Sequence, residues 1–230
     1  QSRQFSNLKN DLPDGWAMQV MDFAKNHGVI YQHEIKAAFY TQQQITIHPI
    51  ITYYRTEKGL VRDSLVIISE DCGHDYHAVQ HYRYLVDEEI KAHMGNKPVN
   101  KVLFSDGCSA QYKSRGPFSD ISLESDVRVD RNYFGSEHGK GDCDAETGIV
   151  NRATDRAIIG NHVVINNGED MYNYCQRNLQ LNETLSKRSF ILVRAGDICR
   201  MRPETEVKPL QNTRNIHQLI NIEGRKCCDD

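Results

Sequence analysis

No stretch of about 18 consecutive apolar residues occurs in this 230-residue chain, so nothing in it reads as a membrane-spanning helix. No signal peptide opens it, and with Gln1 in place of methionine the chain is expected to be a fragment or a processed product. Internal repeats and low-complexity tracts are missing, which excludes repeat architectures. Cationic excess is missing too. A net charge of -3 argues against a protein that coats nucleic acid through its overall charge, although a local basic groove is compatible with it. The 7 cysteines, an odd number, follow no repeating spacing. A disulfide framework is therefore not expected, and a reduced, intracellular compartment is. Cys227 and Cys228 read either as the start of a truncated Cys-rich module or as two idle surface thiols.

What is present is ordinary for a globular chain: 39% apolar and 26% charged residues, enough to bury a sizeable core. Residues 1–15 form a polar N-terminal segment that ends in a Pro- and Gly-containing turn. Strands are predicted at 16–23, in extended form over 29–40, and at 44–54, where β-branched and aromatic residues dominate. Pro49 within the last of these suggests an edge or a bulge. A turn at 57–59 leads to a strand at 64–69. Then the period changes. Tyr76, Val79, Tyr82 or Arg83, Val86 and Ile90 recur at three- and four-residue steps, predicting a helix over 75–93 stopped by Gly95. A short buried strand at 102–104, a short helix within 107–126, a strand at 127–136 and a helix at 144–159 follow. Beyond residue 160 a helix, a strand and a strand-and-loop segment read as a smaller C-terminal α+β extension over 161–230. The expected fold class is α/β, a ribonuclease-H-like mixed sheet flanked by helices over residues 16–160.

Three aspartates fall at telling points of that order. Asp22 and Asp106 close the first and fourth predicted strands, and Asp144 opens the last helix of the sheet domain. Carboxylates at such points can converge although they are far apart in sequence. A cluster of this kind repels itself unless a divalent cation neutralises it, and hard cations such as Mg2+ or Mn2+ prefer oxygen ligands. Two such ions can activate the attacking oxygen and stabilise the leaving one in phosphoryl displacement. Acidic residues also end strands and cap helices with no function at all.

The runs FSDGCSAQYK (104–113) and YFGSEHGKGDCD (133–144) carry a resemblance to a group of transposon-derived proteins of invertebrate genomes. These have a DDE/DDD transposase-like, ribonuclease-H-like domain. Further matches are DFAKN at 22–26, QQITIHP at 43–49, Ser69 to Asp71, His74 and Asp75, and TRNIH at 213–217, so the resemblance spans roughly residues 16–222. It implies DNA cleavage or strand transfer, with Asp22, Asp106 and Asp144 as catalytic metal ligands, DNA as partner and a nuclear location. The chain departs from the group's pattern at Lys25 and over 145–148, which leaves a domesticated, non-catalytic DNA-binding or scaffolding protein of the same fold as the alternative. A homo-oligomer is compatible with either reading. No membrane and no small-molecule cofactor are expected.

Other residues join this site as candidates. Gln111, Lys113, Arg115 and Lys140 flank the second and third aspartates in sequence and suit phosphate contact, although such residues also make good surface. His138 could orient water or shuttle a proton, and Asp142 or Glu146 could substitute as third ligand. The segment His138 to Gly141 lacks the spacing of a phosphate-binding Walker loop. His77 and His81 lie four apart, as zinc ligands can, with His74 and Cys72 nearby, but the Glu of a zinc protease is missing. No zinc is expected within the folded core.

Overall fold

A computed structural model of the chain describes residues 2–28, 44–124, 126–134, 141–201 and 212–221. Among these residues, nine strands form one mixed sheet with five α-helices around it. Helix α1 (Ser2–Asn10) precedes β1 (Trp16–Met21), β2 (His27–Gly28), β3 (Gln44–Thr56) and β4 (Gly59–Ser69). Then come α2 (Tyr76–Met94), β5 (Asn100–Ser105), α3 (Arg115–Leu123), β6 (Arg128–Tyr133) and α4 (Gly141–Ile159). The chain continues through α5 (Gly168–Asn178), β7 (Leu181–Asn182), β8 (Ser186–Val193) and β9 (Gln218–Ile220). In space the strands run β7-β8-β4-β3-β1-β5-β6-β9, with β2 paired to β3.

Strands β1, β3 and β4 are antiparallel neighbours, whereas β5 and β6 run parallel to β1. A two-residue turn joins β3 to β4, and Gly59 after it has φ 129°, a value that residues with a Cβ rarely adopt. Residues 45–54 of β3 are all buried, as expected of a central strand covered on both faces. Helices α2 and α3 cover one face, where Tyr82, Val86 and Ile90 pack on Ile50, Leu65 and Leu103. The other face carries α4 and α5 over Ile47, Val66 and Ile68, and α1 over Val20 and Phe104.

Local chemistry explains the helix ends. Asp75 caps α2 by accepting the Ala78 N–H at 2.9 Å, and Gly95 closes it in the left-handed region at φ 73°. The N-terminal segment, read from the sequence only as polar, forms α1 because Phe5 finds an aromatic cage. Its ring meets Phe104 edge-on at 5.1 Å and Tyr53 at 6.3 Å.

Pro49 is a correction: it occupies neither an edge nor a bulge but the interior of β3, opposite Val66 of β4. The ladder between β1 and β3 ends at Met21 opposite Ile50. Ile47 turns its carbonyl to the β1 side, where it takes the Ala24 N–H at 3.0 Å, and alternation turns Pro49 the same way. Its missing N–H thus faces a place where the paired strand has already stopped.

The residues after 160 build on the same sheet. Strand β8 pairs parallel to β4 at one side, and β9 pairs antiparallel to β6 at the other. Arg200 then pins the segment following β8, with two hydrogen bonds to Asp71 at 2.7 and 2.8 Å and one to Asp75 at 2.6 Å. Among the described residues no helix is long and apolar enough to cross a membrane.

Candidate active site

The site is built first by strand register. In the parallel ladder of β1 and β5, Val20 is the partner of Phe104. Two residues further on, each strand has ended and presents a carboxylate, Asp22 beside Asp106. Val20 and Phe104 both lie on the face covered by α1 and α4. Continued alternation carries the two acids toward that face. Asp106 is exposed and Asp22 half-buried. The Asp106 carboxylate accepts the Cys108 N–H at 3.0 Å, which turns the chain sharply at the strand end.

Helix α4 begins beside the same strand ends. Cys143 in its first turn is buried, and its thiol points at the carbonyls of Val20 at 3.6 Å and Pro49 at 3.8 Å. Burial pushes the Cys143 thiol well above its usual range, and the neighbouring charges of Asp22, Asp142 and Asp144 add to the rise. A group so protonated is a poor nucleophile and a good spacer. Asp144 follows it on the exposed side of the helix. The positive end of the helix dipole favours the acidic first turn formed by Asp142 and Asp144.

The two residues considered as substitute ligands have other occupations. Asp142 accepts the Tyr53 hydroxyl at 2.6 Å and lies 3.8 Å from the Lys9 ammonium. Glu146 is buried between two guanidinium groups, with Arg62 at 2.7 Å and Arg188 at 2.6 Å. Burial opposes its charge, but the hydrogen bonds of Arg188 and Arg62 prevail and hold its pKa below the ordinary value. Both contacts fix α4 against the sheet, and with it the position of Asp144.

On the opposite face, the loop after β5 folds inward. Its Cys108 carbonyl receives the N–H groups of Tyr112 at 2.8 Å and Lys113 at 3.0 Å. Tyr112 is fully buried, and its hydroxyl lies 3.1 Å from His48 Nε2. Burial raises the Tyr112 pKa strongly, with the charges of Asp22 and Asp106 contributing.

Lys113, expected as an exposed phosphate contact, is buried with 8% exposure and holds its ammonium 5.2 Å from the Tyr133 ring. Burial lowers its pKa. Gln111 is half-buried, and Arg115 is exposed at the start of α3. His138 and Lys140 lie outside the described residues. His77 and His81 are half-buried on α2, the former against the Tyr76 ring at 3.9 Å. Cys227 and Cys228 also fall outside the described residues.

Asp22, Asp106 and Asp144 offer oxygen donors alone, a set chemically suited to Mg2+ or Mn2+ rather than to a soft metal. Among the described residues, no three His, Cys, Asp or Glu side chains stand close enough together to hold one ion as they are. Neither Asp106 nor Asp144 forms a salt bridge among the described residues. Sequence reasoning missed the residues that fix the site from behind, His48, Tyr53, Arg62 and Arg188. For His48, Tyr53 and Arg62 the sequence signal is a polar side chain inside a strand rich in apolar residues, whereas Arg188 sits among other polar residues at the start of β8.

Fold and site together define a mixed α/β protein with acidic residues at the carboxyl ends of two adjacent parallel strands and in the first turn of the helix beside them. The chain belongs to the family described as a domain of unknown function (DUF8701), whose model matches residues 1–228. No curated protein matches it.

Proposed function

We propose that this chain is a ribonuclease-H-like, metal-dependent enzyme of transposase descent that cleaves or joins DNA phosphodiesters. One observation carries the reading: Asp22 and Asp106 leave neighbouring parallel strands in register, beside the acidic first turn of α4. The central order β4-β3-β1-β5-β6 supports it, since an antiparallel meander followed by parallel strands is the arrangement a ribonuclease-H-like sheet uses. Asp22, Asp106 and Asp144 would hold Mg2+ or Mn2+. When bound, such ions offset phosphate charge and activate the attacking oxygen.

The chain's own residues then have definite tasks. Asp22 and Asp106 bring two negative charges to one sheet end, Asp144 adds a third from the helix, and Glu146 with Arg62 and Arg188 keeps that helix in place. Arg115 at the start of α3 gives the DNA backbone an exposed cation near the Asp106 loop. Work on DNA puts the protein in the nucleus.

A DNA nicking assay with Mn2+ tests the reading, comparing the native chain with Asp106→Asn. Nicking by the native chain and its loss in the variant support it. DNA binding without nicking by the native chain supports a non-catalytic DNA-binding protein of the same fold instead.

A further inference from the structure

The acids at the ends of β1 and β5 are carried by two separate loops, and nothing in the sheet ladder holds those loops together past residues 21 and 105. A contact on the α2 side of the sheet does. Phe23, the residue after Asp22, packs its ring against His48 at 4.2 Å edge-on and stacks on His74 at 4.2 Å. His74 is itself tethered, its Nε2 3.2 Å from the Thr46 hydroxyl of β3. On the other side of His48, its Nε2 shares a hydrogen bond with the Tyr112 hydroxyl at 3.1 Å. Tyr112 belongs to the loop that begins at Asp106, and that loop is closed on itself by Cys108. The backbone of Cys108 joins the Asp106 carboxylate through its N–H and the Tyr112 N–H through its carbonyl. The Tyr112 carbonyl accepts the Tyr133 hydroxyl at 3.0 Å, anchoring the loop to β6 as well.

We infer that His48 and Tyr112 are positioning residues that set the separation of Asp22 and Asp106 for a divalent cation. The inference rests on the proposed metal-dependent reading. A continuous set of contacts runs from Asp22 through Phe23, His48 and Tyr112 to Cys108 and Asp106. Each inner member is immobilised: His48 and Tyr112 are both fully buried. Neither reaches solvent or substrate, so their action passes through the two aspartates. His48 Nδ1 has no side-chain partner among the described residues, so the bond between Nε2 and the Tyr112 hydroxyl is the side-chain hydrogen bond that the imidazole makes there. Losing that hydrogen bond would leave a second buried polar atom of the imidazole unpaired. Burial, followed by the nearby His74, lowers the His48 pKa to about 3, which keeps a neutral ring beside a protonated phenol. A buried neutral pair of this kind adds no charge that would compete with the cation.

The test is Mn2+ binding by isothermal titration, read together with nicking and with DNA affinity measured without metal. Removing the hydroxyl in Tyr112→Phe is expected to weaken Mn2+ binding by about 10–100-fold, as loss of outer-shell partners does. Nicking should return when Mn2+ is raised in proportion, while metal-free DNA affinity and the far-ultraviolet spectrum stay native. His48→Leu should behave like Tyr112→Phe. His48→Gln, which keeps a polar atom near the position of Nε2, should bind Mn2+ nearly as the native chain does. Native Mn2+ affinity in Tyr112→Phe and His48→Leu, with loss in Asp106→Asn, overturns the positioning role and leaves the metal reading standing. A native chain that takes up no Mn2+ overturns both. Loss in Tyr112→Phe of metal-free DNA affinity together with Mn2+ binding, with no recovery at high Mn2+, marks a merely structural residue and overturns the inference.

Discussion

Val20 and Phe104 face each other in the parallel ladder between β1 and β5, and this register brings Asp22 and Asp106 out of the sheet side by side. Neighbouring strands lie about 4.8 Å apart, so two carboxylates that follow in register begin within reach of a shared cation. The acids differ by more than eighty positions in sequence, yet one ladder aligns them. Cys143 completes the arrangement on the sheet face shared by Val20 and Phe104, since its thiol contacts with Val20 and Pro49 dock the first turn of α4 there.

Asp106→Asn and Asp144→Asn are expected to reduce Mn2+-dependent nicking to background while leaving the fold untouched. Both side chains are exposed, asparagine keeps an oxygen that can accept the Cys108 N–H, and loss of one charge at the start of α4 costs about 0.3–1 kcal/mol. Urea unfolding of each variant checks the second half of the expectation. A large drop in the urea midpoint would assign the lost activity to misfolding.

Glu146→Ala should be strongly destabilising. It removes the buried carboxylate that Arg62 and Arg188 share, leaving two guanidinium groups partly desolvated without their counterion. Breaking a buried pair this way costs about 3–5 kcal/mol, and the partial exposure of the two arginines argues for the lower end. Chemical denaturation measures it, and a loss under about 1 kcal/mol would show that the network contributes little.

Stability should fall in acid through Glu124. Burial raises its pKa, but the charges and hydrogen bonds of Arg83 and Lys101 outweigh that and hold it at about 2, against an ordinary value of 4.5. A carboxylate depressed in the folded state stabilises fully above 4.5, and that contribution disappears as pH falls through about 2. Urea midpoints measured across this window should decline in the native chain and decline less in Glu124→Gln. Equal slopes would exclude Glu124 as a source of the acid sensitivity.

Arg115 and Lys113 should separate in a DNA-binding series. Arg115→Ala is expected to lower affinity for a short duplex and to flatten the salt dependence by about 0.9, the contribution of one phosphate contact. Lys113→Ala should instead lower stability, because its stem is buried over Tyr133. Fluorescence anisotropy across a salt series, paired with thermal unfolding, distinguishes the two. A salt slope unchanged in Arg115→Ala would remove that residue from the DNA path.

The parts of this fold that were legible in the sequence are those with short-range causes. The α2 stripe and its Gly95 stop, and the β-branched runs of β3 and β4, follow from local periodicity and chemistry. Asp22 and Asp106 were legible as strand-end acids for the same reason. Long-range packing was not. Helix α1 exists because Phe5 finds Phe104 and Tyr53, which no polar N-terminal segment announces. Pro49 is tolerated because β1 stops one residue short of it, and Lys113 is buried because Tyr133 of β6 offers its ring. Strands β8 and β9 add to opposite sides of the sheet, an outcome set by which sheet edges remained open.

Anomalous scattering from crystals soaked in Mn2+ tests the central claim most directly. The account predicts Mn2+ bound by the carboxylates of Asp22 and Asp106, with Asp144 of α4 completing the ligand set and, where two ions bind, a spacing of about 3.5–4 Å between them. Manganese located elsewhere, or no anomalous signal at the ends of β1 and β5 at saturating Mn2+, would contradict it.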